Sequence, residues 1–167
     1  VPYDVWHRQG FLRTTPGKSV EYEFVAKSLF EDVHNMNVKK IAFDAWNWKH
    51  LKPWLIVAGF REEDCEGDNA IFVSMRQGFQ TMSPALRTLE EDLLEGRIVH
   101  GSHPVLSMCA ANAVVTSDSA GNRKLDKAKA TGRIDGLQAL TMARAAAGEY
   151  IPARVPEYQL LFLGGES

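Results

Sequence analysis

The stretch Val38-Lys39-Lys40-Ile41-Ala42-Phe43-Asp44-Ala45-Trp46-Asn47 limits what this chain can become more than any other. Ile41 to Phe43 is an unbroken apolar, β-compatible run, as expected of a strand covered on both faces. An acid, Asp44, closes the run, and a helical pattern begins near Asn47. A strand buried on both faces needs helices above and below it, which is an α/β architecture. Ligands and metals in open α/β sheets bind outside the carboxyl ends of strands, so Asp44 stands where chemistry is expected. An aspartate in that place also caps the next helix, and spacing alone leaves both roles open.

The flanking patterns fit the same class. A helix is expected from Ser19, with Glu21 and Glu23 in its first turn, an apolar face of Val20, Phe24, Val25, Leu29 and Val33, and an end near Asn35. A second runs from about Asn47 to Ala58 with a buried stripe of Leu51, Trp54, Leu55 and Ala58. Pro53 predicts a kink or break inside it, and Gly59 stops it. Ala70 to Met75 reads as a strand. Ser83-Pro84 reads as a helix start, followed by Leu86, Leu89, Leu93 and Leu94 and closed by Gly96.

Gly10 to Thr14 and Arg97 to His100 read as short strands, 61 to 69 as an acidic loop, and 104 to 111 as either helix or strand. Ala113 to Thr116, the turn residues Ser117 to Asn122 and the return arm Arg123 to Leu125 predict a basic hairpin. The last helix is expected from Arg133 to Ala147, with Ile134, Leu137, Leu140 and Ala145 near one face. From Tyr150 onward the sequence reads as a tail. Helix, strand, helix, strand, helix is an α/β order that calls for more strands than can be assigned here.

At 167 residues, 45% hydrophobic and 24% charged, the chain has the balance of one globular domain. A net charge of −2 argues against binding nucleic acid by bulk charge. The charge is segregated, however: acids dominate 61 to 70, whereas Arg123, Lys124, Lys127, Lys129 and Arg133 make 121 to 133 basic. A polyanion should meet the second patch and avoid the first. Cys65 and Cys109 lack metal or disulfide spacing, which suggests a reducing compartment. No apolar run is long enough to cross a membrane and no signal-peptide pattern opens the chain, so a cytoplasmic location is the default.

Asp44 has one good potential partner, Asp135, in Gly132-Arg133-Ile134-Asp135-Gly136. An acid in a first helical turn is favoured by the helix dipole, and the glycines permit close backbone approach. Two such carboxylates could share Mg²⁺ or Mn²⁺, hard cations that take carboxylate, water and phosphate oxygens. A pair of these ions can activate water and stabilise a leaving oxygen in phosphodiester cleavage. For Asp135 the plainer reading is an ordinary first-turn acid. Lys127, Lys129 and Arg133 are candidates to hold DNA phosphates, or else a solvated hairpin. Trp46 and Trp48 are candidates to stack on a base, with core packing expected of at least one. His100 and His103 have metal-pair spacing but lack a third ligand and read better as turn residues. No phosphate loop and no Gly-x-Ser-x-Gly element is present.

Taken together, Val1-Pro2-Tyr3-Asp4-Val5-Trp6, Thr15-Pro16-Gly17, Ile41-Ala42-Phe43-Asp44-Ala45-Trp46-Asn47, the segment from Gln77-Gly78 to Ser83-Pro84-Ala85, Gly96-Arg97-Ile98-Val99-His100 and Arg133-Ile134-Asp135-Gly136 with Ala139 to Ala143 carry a resemblance. The chain resembles the C-terminal nuclease domain of the terminase large subunit of tailed bacteriophages and prophages. The resemblance implies an RNase H-like (retroviral-integrase-like) mixed sheet flanked by helices. It also implies a two-metal endonuclease, using Mg²⁺ or Mn²⁺, that cuts concatemeric double-stranded DNA during genome packaging in the bacterial host. It matches Asp44 to the second-strand acid, Asp135 to the C-terminal acid, and the hairpin at 113 to 129 to one near the active site. Portal protein and small terminase subunit are the partners it implies. The first acid of that family lies upstream of Val1. The chain is therefore expected to be an N-terminally truncated nuclease domain, 1 to 148, missing its first strands, with a tail at 149 to 167. The competing expectation is a non-catalytic module that binds DNA or packaging partners.

Overall fold

The computed structural model describes residues 1–148; the tail expected at 149 to 167 lies outside the described residues. In chain order the elements are α1 (Tyr3–Arg8), α2 (Tyr22–Asn35), β1 (Ile41–Phe43), a 3₁₀ turn (Ala45–Asn47), α3 (Trp48–Ala58), α4 (Glu62–Cys65), β2 (Phe72–Ser74), α5 (Phe79–Leu94), α6 (Pro104–Asn112), β3 (Val115–Ser117), β4 (Arg123–Leu125) and α7 (Asp135–Ala147).

β1 and β2 are parallel, with Ile41 opposite Phe72 and Phe43 opposite Ser74. The basic hairpin forms as expected, Val115 opposite Leu125 and Ser117 opposite Arg123. Asp118 closes its turn by accepting from the Ala120 and Asn122 amides, both at 2.9 Å. The expected mixed sheet is nevertheless divided: the parallel pair and the hairpin are separate two-stranded sheets.

The first half of the chain packs around rings. Ala26, Leu55, Phe60 and Phe72 form its buried centre, joined by Phe30, Phe43 and Trp48. Phe43 stacks on Trp48 at 4.0 Å, and Phe60 meets Phe30 and Phe72 edge-on. Gly59 ends α3 at φ +117°, a left-handed conformation that favours glycine. The second half packs aliphatic side chains, with Leu86, Leu125 and Ile134 at its centre. Between the halves lies a methionine seam. Met75 after β2, Met82 on α5 and Met142 on α7 meet Ala42 and Val73 of the parallel pair.

Several elements differ from expectation. Gly10 to Thr14 is no strand; it finds no strand partner, and the His7 ring donates to the Leu12 carbonyl at 3.0 Å. α2 starts at Tyr22 rather than Ser19, because the Ser19 carbonyl accepts from the Thr15 hydroxyl and the first helical bond runs from Val25 N–H to Glu21 O. Pro53 sits inside an α3 that continues to Ala58, and the full burial of Leu55 outweighs the one missing donor. Trp54, expected in the buried stripe, is exposed.

The acidic loop contains α4, tied to α3 by Lys52, which bridges Glu62 (2.8 Å) and Glu66 (2.9 Å). These two carboxylates raise the Lys52 ammonium above its ordinary range. α5 begins at Phe79, so Ser83 and Pro84 lie within it, where Met82, Ser83, Ala85, Leu86 and Leu89 are buried. Leu93 and Leu94 reach solvent. Arg97 to His100 is no strand, because Arg97 turns back to Asp92 through both its N–H and its side chain. Residues 104 to 112 resolve as helix.

Candidate active site at the carboxyl end of the parallel pair

Asp44 follows β1 directly. Its Oδ1 accepts the Trp46 N–H at 3.1 Å and so caps the 3₁₀ turn. The capping role is therefore real, and it uses one carboxylate oxygen. The other has no partner among the described residues, and the side chain is exposed.

Asp135 opens α7. The segment leading to it is pinned by Asn112, whose Nδ2 donates to the Arg133 carbonyl at 3.1 Å and whose own carbonyl accepts the Thr131 N–H. Both expected glycines act through proximity. A Cβ on Gly132 would lie 2.7 Å from Asn112 Nδ2, and one on Gly136 would lie 3.2 Å from Cys109 Sγ. α6 can therefore approach the start of α7 closely. Ile134, 2% exposed, anchors the same point in the aliphatic core.

The relation between the two acids follows from how α7 crosses β1. Ala42 packs against the cluster that holds Met142, whereas Val38 to Lys40 share a cavity wall with Ala143, Ala146 and Ala147. Earlier strand residues thus meet later helix residues, and α7 runs antiparallel to β1. Gln77, just past β2, reaches Met142 Sδ at 3.9 Å and agrees with that direction. From Met142 to Asp135 the helix axis advances roughly 10 Å, and from Ala42 to Asp44 the strand advances roughly 7 Å the same way. Asp44 thus stands at the carboxyl end of the parallel pair, and α7 runs back from Met142 toward Asp135 in that direction. No hydrogen bond joins them, and among the described residues no three His, Cys, Asp or Glu side chains gather as a metal-ligand group.

The expected phosphate contacts are placed unequally. Lys127 Nζ donates to Asp135 Oδ1 at 2.8 Å, so its charge faces the carboxylate. Lys129 Nζ donates to Thr116 Oγ1 at 3.3 Å and lies 3.7 Å from Asp126. Arg133 is exposed without an ion partner among the described residues. The hairpin is fixed to α5: Arg123 makes a two-pronged bond to Glu90, and Lys124 lies 4.9 Å over the Phe79 ring.

Arg76, which follows β2 at the same end, is exposed and lacks an ion partner among the described residues. A cation directly after a strand that neighbours an acid-bearing strand is the sequence signal for it. His100 accepts the Ser102 N–H at 3.2 Å in a turn, and His103 meets Phe11 edge-on, as turn residues rather than a metal pair.

Hard carboxylate oxygens suit a hard divalent cation, and two of them with water complete the shell of a single Mg²⁺ or Mn²⁺. A bridged pair of dications needs more negative charge than Asp44 and Asp135 supply.

The family description of the terminase large-subunit endonuclease domain matches residues 1–149. The terminase large subunit of Enterobacteria phage HK97 is 50% identical over 147 residues, covering 88% of this chain and 28% of that protein. Protein YmfN of Escherichia coli (strain K12) is 26% identical over 144 residues, covering 84% of this chain and 29% of that protein. The crystal structure of the HK97 bacteriophage large terminase matches with a TM-score of 0.77 at 49% identity, over 87% of this chain and 29% of that one. The chain spans less than a third of the length of these relatives.

Proposed function

The chain belongs to the terminase large-subunit endonuclease-domain family, and we propose that it is the metal-dependent nuclease part of a longer packaging protein. In this reading it is C-terminal in that protein, takes an RNase H-like fold, and cuts concatemeric viral double-stranded DNA in the host cytoplasm. Portal protein and small terminase subunit are its partners. What supports the reading is the family match together with an unpaired oxygen on Asp44 directly after β1 and Asp135 at the start of α7, the helix packed against β1.

In this mechanism Asp44 and Asp135 would hold a divalent cation through their carboxylates, and such an ion would supply a water of lowered pKa and neutralise charge on a leaving oxygen. Lys129, Arg133 and Arg76 hold phosphates on either side of the cut. Lys127 turns from Asp135 toward the DNA backbone when the carboxylate is otherwise neutralised.

Among the described residues no three His, Cys, Asp or Glu side chains gather, which favours a second reading, a module that binds DNA or packaging partners without turnover. One assay separates the readings: nicking of supercoiled plasmid with Mn²⁺, run on this chain and on a longer polypeptide that adds an upstream acid-bearing strand. The nuclease reading expects little cutting by the chain alone and robust cutting by the longer polypeptide, lost on Asp44→Asn or Asp135→Asn. Undiminished cutting by those two variants removes both acids from the mechanism. A longer polypeptide that binds DNA but never cuts it establishes the non-catalytic module.

A further inference from the structure

Trp46 is 84% exposed, the most exposed aromatic side chain among the described residues. Two positions on, Trp48 lies against Phe43 and Phe72 in the aromatic core. Two neighbouring indoles thus differ, one half-buried against the aromatic core and the other in water. An aromatic ring of that size buries about 150–250 Å² when it finds a partner. The Trp46 backbone is held next to the acid, since its N–H is the group that Asp44 caps. Three positions further along the helical path, Lys49 falls on the same side. It is exposed and has no ion partner among the described residues.

A free aromatic face beside an unpaired ammonium is the combination that binds unstacked bases, the ring through stacking and the cation through phosphate. A base inside an intact duplex has both faces covered by its neighbours and offers none to a protein ring. We propose that Trp46 stacks on an unpaired nucleobase next to the phosphate presented to Asp44. The chain then prefers DNA with locally unpaired or frayed bases over intact duplex. This inference rests on the DNA reading of the Asp44 site, and it is independent of turnover. An exposed tryptophan also suits a protein interface. Lys49 and the bond to Asp44 favour the base.

The test is anisotropy of labelled DNA in EDTA, comparing an intact duplex with the same duplex carrying a short mismatched bubble. The native chain should bind the bubble at least about five-fold more tightly, the equivalent of one stacked base. Trp46→Ala should erase that preference while leaving affinity for intact duplex within about two-fold, and Trp46→Phe should restore part of it. Matching thermal unfolding of the variants checks that the fold is unchanged. Equal binding of both DNAs, a preference that survives Trp46→Ala, or no DNA binding at all overturns the proposal. If Trp46→Ala alters only self-association in sedimentation, the ring belongs to a protein interface and the proposal fails. Because no divalent ion is present, a preference that depends on Trp46 stands even if the nicking assay finds no nuclease.

Discussion

Asp44 reaches solvent on a three-residue turn that rests on a stack of rings. Asp135 reaches it on a helix start gripped from several sides. Behind Asp44 lie Phe43, Trp48 and Phe72, and the only bond its carboxylate makes among the described residues is to its own turn. Behind Asp135 lie Ile134 in the aliphatic core, Asn112 and Cys109 on α6, and Lys127 on the segment after the hairpin. One acid is placed by local sequence and the other by long-range packing. The lesson is that damage to the core should reach them by different routes, and substitutions in each region can test this.

The largest contrast is expected between two glycines. At Gly59, alanine meets both a left-handed φ of +117° and Phe30 ring atoms at 2.7 Å. Overpacking of that kind costs about 1–3 kcal/mol, and the left-handed backbone adds roughly 1–2 kcal/mol. At Gly136, alanine meets only Cys109 Sγ at 3.2 Å, in a helix that gains about 1 kcal/mol from the exchange. Unfolding free energies from denaturant titration should fall clearly for Gly59→Ala and change by no more than about 1 kcal/mol for Gly136→Ala. Equal losses would show that both glycines are matters of packing alone.

A smaller effect concerns acid. Asp92 is buried between Arg144 on α7 and Arg97, and these guanidiniums, Arg144 foremost, hold its carboxyl below the usual carboxylate range. A depressed folded-state pKa contributes stability that is fully present above the unfolded value near 3.9 and lost as pH falls through the folded one. Thermal unfolding followed from neutral pH downward should therefore drop at the acid end. Asp92→Asn, less stable at neutral pH, should show a shallower acid limb. An unchanged limb would mean that other carboxylates govern acid unfolding, and that the tie between α5 and α7 is not electrostatic.

The smallest expected effect separates the two hairpin lysines. Lys129→Ala should flatten the log–log salt dependence of DNA binding by about 0.9 per lost duplex phosphate contact. With divalent ions chelated, Lys127→Ala should change it less, because Asp135 then still engages that ammonium. Equal slopes for the two variants would show that the ion pair opens on DNA.

What the sequence made legible was local. A three-residue apolar run ended by an acid, the turn chemistry at Asp118 and Asn122, and the stop at Gly59 each depend on residues a few positions apart, and each forms. Helix starts were less legible. Ser83-Pro84 has the chemistry of a first turn, yet burial of Met82 and Ala85 carries α5 back to Phe79. Ser19 has the chemistry of a cap, yet its carbonyl is taken by Thr15. The pairing of Lys127 with Asp135 left no periodic mark, because it depends on how the segment after the hairpin folds over the helix. The split between two small sheets was hidden for the same reason: strand character is local, and strand partnership is not.

The methionine seam gives the molecule a mechanical property. β2, α5 and α7 meet through Met75, Met82 and Met142, unbranched side chains whose sulfurs also receive Gln77 and Gln138 at 3.9 and 3.5 Å. Such a joint has many rotamers of similar energy and few interlocking shapes. The contact between the part that carries Asp44 and the part that carries Asp135 is therefore the one in the molecule that best tolerates a change of side-chain shape.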